Sequence, residues 1–141
     1  MNKRILELLM TDGKLTYNDV AVKLRRSAST IRDRIRRLED DKVILGYVAV
    51  VDSEAVGMKV EGILLANLAD GCTLEKLKEL NKVPTVTEVL QVSGRRRIMV
   101  RLLAADNRTL HDTIQTQIVP IGLKDVELHI VLDSVMRFPG I

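Results

Sequence analysis

The chain has 141 residues, 46% of them hydrophobic and 29% charged. That is enough for one ordinary domain or two small ones, and the balance excludes a disordered chain. The single cysteine, Cys72, excludes an internal disulfide framework and a cysteine-based metal site, and it fits a reducing, cytoplasmic compartment. The net charge of +3 is unevenly placed: residues 1–45 carry 11 basic and 7 acidic side chains, residues 46–141 carry 11 and 12. Basic residues crowd between Lys23 and Arg37, where Asp33 is the one acid. A localised basic face of this kind suits nucleic acid. The N-terminal apolar run is short and broken by Glu7 and Asp12, so neither a signal peptide nor a membrane span is expected.

Ile5, Leu8 and Leu9 recur at helical spacing and predict a short amphipathic helix over 4–10, closed by Asp12-Gly13. Thr16 and Asp19 have the spacing of a capping box ahead of a second short helix over 17–23, with Val20, Ala21 and Leu24 inward. After a tight connection, Ser27 is placed to cap a longer helix, Ser27–Asp41. Ile31, Ile35 and Leu38 form its core stripe, whereas Ser29, Asp33 and Arg36 point the opposite way, flanked by Thr30 and Arg32. Two short helices, a tight turn and a longer polar-faced helix make a helix-turn-helix pattern. Residues 42–51, KVILGYVAVV, are β-branched and apolar and predict a strand. The predicted organisation is a helix-turn-helix domain over 1–45, a linking strand and hinge over 46–57, and a second domain over 58–141.

The second domain alternates strands and helices. Strands are predicted over 59–68, 86–93, 96–105 and 126–136. Thr73 caps a helix to about Lys82, carrying Leu74, Leu77 and Leu80; Asn107 or Thr109 opens another, carrying Leu110, Ile114 and Ile118, which Pro120 and Gly122 stop. The order β-α-β-β-α-β is the ferredoxin-like arrangement, giving an α+β fold. One sheet face is apolar throughout, with Val60, Leu64, Val86, Leu90, Ile98, Val100, Leu102, Leu128, Ile130 and Leu132. The other still carries Ile63, Leu65, Val89, Met99, Leu103 and Val131 among Gln91, Arg101 and His129. A half-apolar bare face calls for cover, and a second copy related by a two-fold axis supplies it economically. Paired helix-turn-helix arms then match a palindromic double-stranded DNA site.

Ser29, Thr30, Arg32, Asp33 and Arg36 are the candidates for reading the major groove, because arginine bonds guanine with two donors and hydroxyls contact any base edge. Asp33 serves there by excluding bases or by pairing with Arg36 or Arg37. Arg25, Arg26 and Arg37 are candidate phosphate contacts, and Ser27 opens the helix N-terminus beside them. Arg34 lies nearer the apolar stripe and lays its stem along the core.

The stretch Ser27-Ala28-Ser29-Thr30-Ile31-Arg32, then Arg34-Ile35-Arg36-Arg37-Leu38-Glu39, then Val43-Ile44 and Gly46-Tyr47 resembles the second helix and following strand of the Lrp/AsnC, or feast/famine, family of prokaryotic transcription regulators. The order of the two domains agrees over nearly the whole chain. The resemblance implies dimers, often rings of four dimers, and control by small molecules, usually amino acids, bound between C-terminal domains. The family's turn usually has Gly and Leu where Arg25 and Arg26 stand. Its sensing hairpin usually reads Gly-Asp-Tyr-Asp; here it is Gly94-Arg95-Arg96-Arg97, and only Gly94 carries over. The acidic position that suits an ammonium group is Arg97, and Leu128 stands where a threonine is common. Gly94, Arg95, Arg96 and Arg97 are therefore the candidate effector turn, toward an anionic effector or none, with an ordinary solvated basic turn as the alternative.

Cofactor and catalytic chemistry find little support. His111 and His129 have no clustered ligands, Cys72 has no His–Asn set, and there is no phosphate-binding glycine loop. The expected protein is a DNA-binding regulator that catalyses nothing. The competing readings are a ligand-binding regulatory subunit of an enzyme and an architectural protein that wraps DNA.

Overall fold

The computed structural model describes residues 1–137; the end of the expected C-terminal domain, 138–141, lies outside the described residues. Two compact units divide the chain, with main spans Met1–Val50 and Val51–Val135.

The first unit holds α1 (Asn2–Thr11), α2 (Tyr17–Leu24) and α3 (Ala28–Asp40). Their helical periods converge on one core: Ile5, Val20, Ala21, Ile31, Ile35 and Leu38 are all buried. Each fully buried aliphatic side chain contributes about 1.5–3 kcal/mol. Leu8, Leu9, Leu15, Leu24 and Ile44 close the core at its rim. Thr16 and Asp19 form the expected capping box at the start of α2, and Ser27 caps α3 by accepting the Thr30 amide at 3.2 Å.

The strand expected over 42–51 does not form. Lys42 turns left-handed (φ 56°), and the Val43 and Ile44 amides both donate to the Leu38 carbonyl at 2.9 Å. Those bonds finish α3 and fold Ile44 onto the core, so the first residues of the segment are committed to a helix end. Leu45 and Val48 are almost fully exposed. Extended backbone becomes a strand only against another edge, and among the described residues none pairs with this segment. Residues 54–56 make one 3-10 turn, which Gly57 closes at φ 80°.

The second unit is a four-stranded antiparallel sheet, order β2-β3-β1-β4, with β1 Val60–Leu68, β2 Val86–Gln91, β3 Ile98–Ala104 and β4 Leu123–Ile130. Leu64, Ala66, Ile98, Val100, Leu102 and Ala104 lie on the helix-covered face, packed with Leu77, Leu80, Leu110, Ile114 and Ile118. The fit is close: a Cβ on Gly62 would stand 3.1 Å from Leu128 and 3.2 Å from Leu110.

Four expectations need correction. The segment from Thr73 is not an α-helix but a 3-10 helix over Lys76–Lys82, without a side-chain cap. Leu77, Leu80 and Val83 are buried three apart, and residues at that spacing align in a 3-10 helix but drift around an α-helix. The second helix begins as α4, Asn107–Thr113, capped by Asp106 rather than Asn107 or Thr109, and continues as a π-turn over Ile114–Ile118. Leu110, Ile114 and Ile118 recur every four residues, slightly longer than the α-period, and the wider turn keeps all three on the sheet.

In β2 the register slips between Val86 and Glu88, setting Val89 opposite Val100 and Leu90 opposite Met99. A bulge residue inverts the alternation, so Val89 faces the core and Leu90, placed with the core set by simple alternation, faces outward. β4 starts three residues earlier than expected and ends at Ile130 rather than Met136. Its neighbour is β1, and Ile130 already pairs with Gly62, two residues from the start of that strand. Beyond one more bond, Val131 amide to Glu61 carbonyl, only Val60 of β1 remains, and Leu132, Val135 and Met136 are exposed.

Candidate nucleic-acid interface and effector turn

The inward stripe of α3 fixes what faces out. With Ile31, Ile35 and Leu38 in the core, Ser29, Arg32, Asp33, Arg36 and Arg37 are exposed, as are Arg25, Arg26 and Ser27 ahead of the helix. Thr30 and Arg34 are half-buried. Arg34 leaves the outer face and donates to Asn2 Oδ1 at 3.0 Å. Ser27 is occupied as the cap, its Oγ 2.7 Å from Thr30 Oγ1 and 3.1 Å from Ser29 Oγ. Asp33 pairs with Arg32 at 3.7 Å rather than with Arg36 or Arg37: neighbouring side chains on an exposed surface meet loosely, for ~0–1 kcal/mol. Among the described residues no carboxylate engages Arg36 or Arg37.

Arg25 is the C-cap of α2 and adopts a left-handed backbone, φ 52° and ψ 51°, a conformation that costs a side-chain-bearing residue about 1–2 kcal/mol. The bond from the Arg26 amide to the Ala21 carbonyl at 2.9 Å holds the turn. The tight connection thus demands a glycine-like geometry, and this chain fills it with an exposed cation.

A shallow groove runs between the first turns of α2 and α3, lined by Thr16, Tyr17, Asn18, Ala28, Ser29 and Arg32. Two helix N-termini open onto it, the arrangement that favours a phosphate. Thr16, Tyr17 and Asn18 were not legible as site residues, because tertiary packing brings the two termini together; the capping box was their one local signal. Asp19 accepts the Thr16 hydroxyl at 2.6 Å and the Thr16 amide at 2.8 Å. These bonds hold its carboxyl below the ordinary value. The linked stability is complete above the ordinary carboxylate range and is lost as pH falls through the lowered value. Melting curves of Asp19→Ala against the parent should therefore differ most near neutral pH and draw together as pH falls below the ordinary carboxylate range.

Tyr47 fastens the segment after α3, donating to Glu39 Oε1 at 3.0 Å. Partial burial first, then that bond and the Glu39 charge, push its phenol up to about 12.

In the second unit the β2–β3 turn closes through the Val92 amide to the Arg97 carbonyl at 2.8 Å, with Gly94 at φ 108°. The three arginines do not converge. Arg95 and Arg97 are exposed, whereas Arg96 turns back to β4: its Nε donates to the Asp125 carbonyl at 2.7 Å and its Nη1 stands 2.5 Å from Glu127. The Arg97 amide donates to Asn67 Oδ1 at 3.1 Å. An anion site built from all three guanidiniums is therefore not what this turn presents. His129 contacts Glu127 at 2.7 Å, and among the described residues no group of His, Cys, Asp and Glu could hold a metal ion. No helix of the described residues is long and apolar enough to cross a membrane.

A helix-turn-helix unit with an exposed polar recognition face, followed by a ferredoxin-like domain, defines a DNA-binding regulator with an appended ligand-binding module. Residues 2–44 match the winged helix-turn-helix DNA-binding family and residues 73–141 the Lrp/AsnC ligand binding domain. The chain is 30% identical over 112 residues to the HTH-type transcriptional regulator FL11 of Pyrococcus furiosus, spanning 79% of this chain and 74% of that one. It is 29% identical to LrpA1 of Halobacterium salinarum over 84% of each. An AsnC family transcriptional regulator from Agrobacterium tumefaciens superposes with TM-score 0.82 at 26% identity, over 96% of this chain and 91% of that one. A Neisseria meningitidis transcriptional regulator solved with L-Met shares the fold at TM-score 0.89 and 17% identity, over 99% and 93%. The chain belongs to the Lrp/AsnC family of transcription regulators.

Proposed function

We propose that the protein binds palindromic double-stranded DNA sequence-specifically, as a dimer or a larger ring of dimers, in the cytoplasm and on the nucleoid, with α3 entering the major groove. The observation that carries this reading is the outer face of α3, where Ser29, Arg32, Asp33 and Arg36 are all exposed while the opposite stripe is locked in the core. Arg32 and Arg36 are the base readers, with Ser29 and Thr30 as lesser contacts. Arg25, Arg26, Arg37 and the N-terminal turn at Ser27 take phosphates. Residues 1–45 act as the DNA-binding domain, 46–57 as the connection, and 58–141 as the oligomerisation and effector domain.

The dimer reading rests on the bare sheet face, where Ile63, Leu65, Met99 and Leu103 are half-buried and Leu90 is exposed. Glu61, buried, joins Arg101 at 3.2 Å across this face, and Arg101 reaches Glu88 at 3.4 Å. A small-molecule effector acts through the second domain, by analogy with the L-Met-bound relative. No catalysis is proposed.

Selection from random duplex DNA with purified protein, followed by binding to the winner and to an unrelated duplex across a salt series, tests the reading. An enriched palindrome bound far more tightly than the unrelated duplex supports it. Equal, salt-sensitive binding to both would move the assignment to DNA wrapping. No binding to either at low salt would sink it.

A further inference from the structure

The bulge between β1 and β4 creates an acceptor that the sheet does not use. Pairing slips between Leu65 and Asn67, and Asp125 sits at the slip with a left-handed backbone, φ 54°. A bulged residue is left out of the ladder, and its carbonyl then needs another donor. Arg96 supplies it from the hairpin turn, 29 positions earlier: Nε to that carbonyl at 2.7 Å, Nη1 to Glu127 at 2.5 Å. Asn67 reinforces the same join, its Nδ2 donating to Asp125 Oδ2 at 3.2 Å while its Oδ1 accepts the Arg97 amide.

We propose that the Asp125 carbonyl and the Glu127 carboxylate form a guanidinium-binding site, occupied by the chain's own Arg96, and that its filling fixes the effector turn without an external ligand. A planar guanidinium presents two donors in a fixed fork, matched to a carbonyl and a carboxylate lying side by side. An ammonium is a single compact charge and cannot reproduce that fork. The turn thereby holds its shape in the unliganded protein. A ligand carrying a cationic group meets a filled site, and the charge left to solvent is that of Arg95 and Arg97. The inference concerns the geometry of the turn and stands or falls apart from DNA binding.

The test is amide hydrogen exchange of the full chain, followed at Val92 and Arg97, whose N–H groups bond to the Arg97 carbonyl and to Asn67. In Arg96→Ala, protection at these two amides should fall about tenfold while the core amides of β1 and β3 keep theirs. Methylguanidinium at tens of millimolar should restore most of the loss, methylammonium at the same concentration none, and Arg96→Lys should fall between parent and alanine. Unchanged protection in Arg96→Ala would overturn the proposal. So would equal rescue by the two cations, which would show only charge screening. Should Arg96→Ala fail to fold, Glu127→Gln, which keeps the shape and removes the charge, must loosen the same two amides for the proposal to survive.

Discussion

Arg36→Ala should weaken binding to the selected palindrome by about 1–3 kcal/mol, roughly 5- to 150-fold, while binding to an unrelated duplex changes little. The argument is positional. Arg36 follows Ile35 and precedes Leu38 by two residues, so the buried stripe holds it on the outer face, beyond the first turn where Ser27, Ser29 and Thr30 are bonded to one another. Among the described residues nothing neutralises its guanidinium, so all of its donors are available to a guanine edge. Arg32 shares the face but carries Asp33 as a loose partner, and its replacement should cost less. Arg25 makes the contrast. In Arg25→Gly the left-handed turn is relieved of side-chain strain, offset by the greater freedom of glycine when unfolded, so stability should hold or rise slightly. Affinity should nevertheless drop on every duplex alike, and the salt dependence should become shallower by about one charge. Equal losses on specific and unrelated DNA in Arg36→Ala would reduce Arg36 to a phosphate contact and remove the base-reading role from this position.

The helix-turn-helix was legible because its determinants are local. Thr16 with Asp19, Ser27, and the spacing of Ile31, Ile35 and Leu38 act within one or two helical turns, and each appears in the structure as expected. The succession of strands along the second domain was legible for a related reason, since turn residues and apolar runs mark where each strand lies. What escaped depends on partners distant in sequence. Residues 42–51 have the composition of a strand but pair with no edge among the described residues. The face of Leu90 hangs on a bulge set by β3, and the end of β4 on where β1 begins. The engagement of Arg96 by Glu127 and Asp125 joins a turn to a strand that follows only after a whole helix, and nothing in the run of three arginines marks the middle one as the one that turns inward. The 3-10 helix is a different case: the three-residue spacing of Leu74, Leu77 and Leu80 was visible, and an α-period was imposed on it.

The largest expected effect on stability lies where the chain leaves its last helical turns for β4. Gly122 sits at φ 131°, and a Cβ there would stand 2.6 Å from Cys72 Sγ and 2.8 Å from Cys72 Cβ. Its own backbone is tied on both sides, its carbonyl accepting the Ala69 amide at 2.8 Å and its amide reaching the Val119 carbonyl at 3.1 Å, so it cannot move aside without breaking the join between β1 and β4. Gly122→Ala therefore combines a disfavoured backbone region with a hard contact and should cost about 2–4 kcal/mol in urea unfolding. Cys72 separates the two contributions. Cys72→Ala removes the 2.6 Å contact but leaves the Cβ at 2.8 Å, whereas Cys72→Gly removes both. The cost of Gly122→Ala should thus shrink in the Cys72→Ala background and shrink further in Cys72→Gly, down to the backbone strain alone. Residues whose atoms meet are coupled beyond the ~0.3–0.5 kcal/mol within which independent sites add. If the substitutions prove additive within that margin, the sulfur does not confine position 122, and the glycine is needed there for its backbone alone.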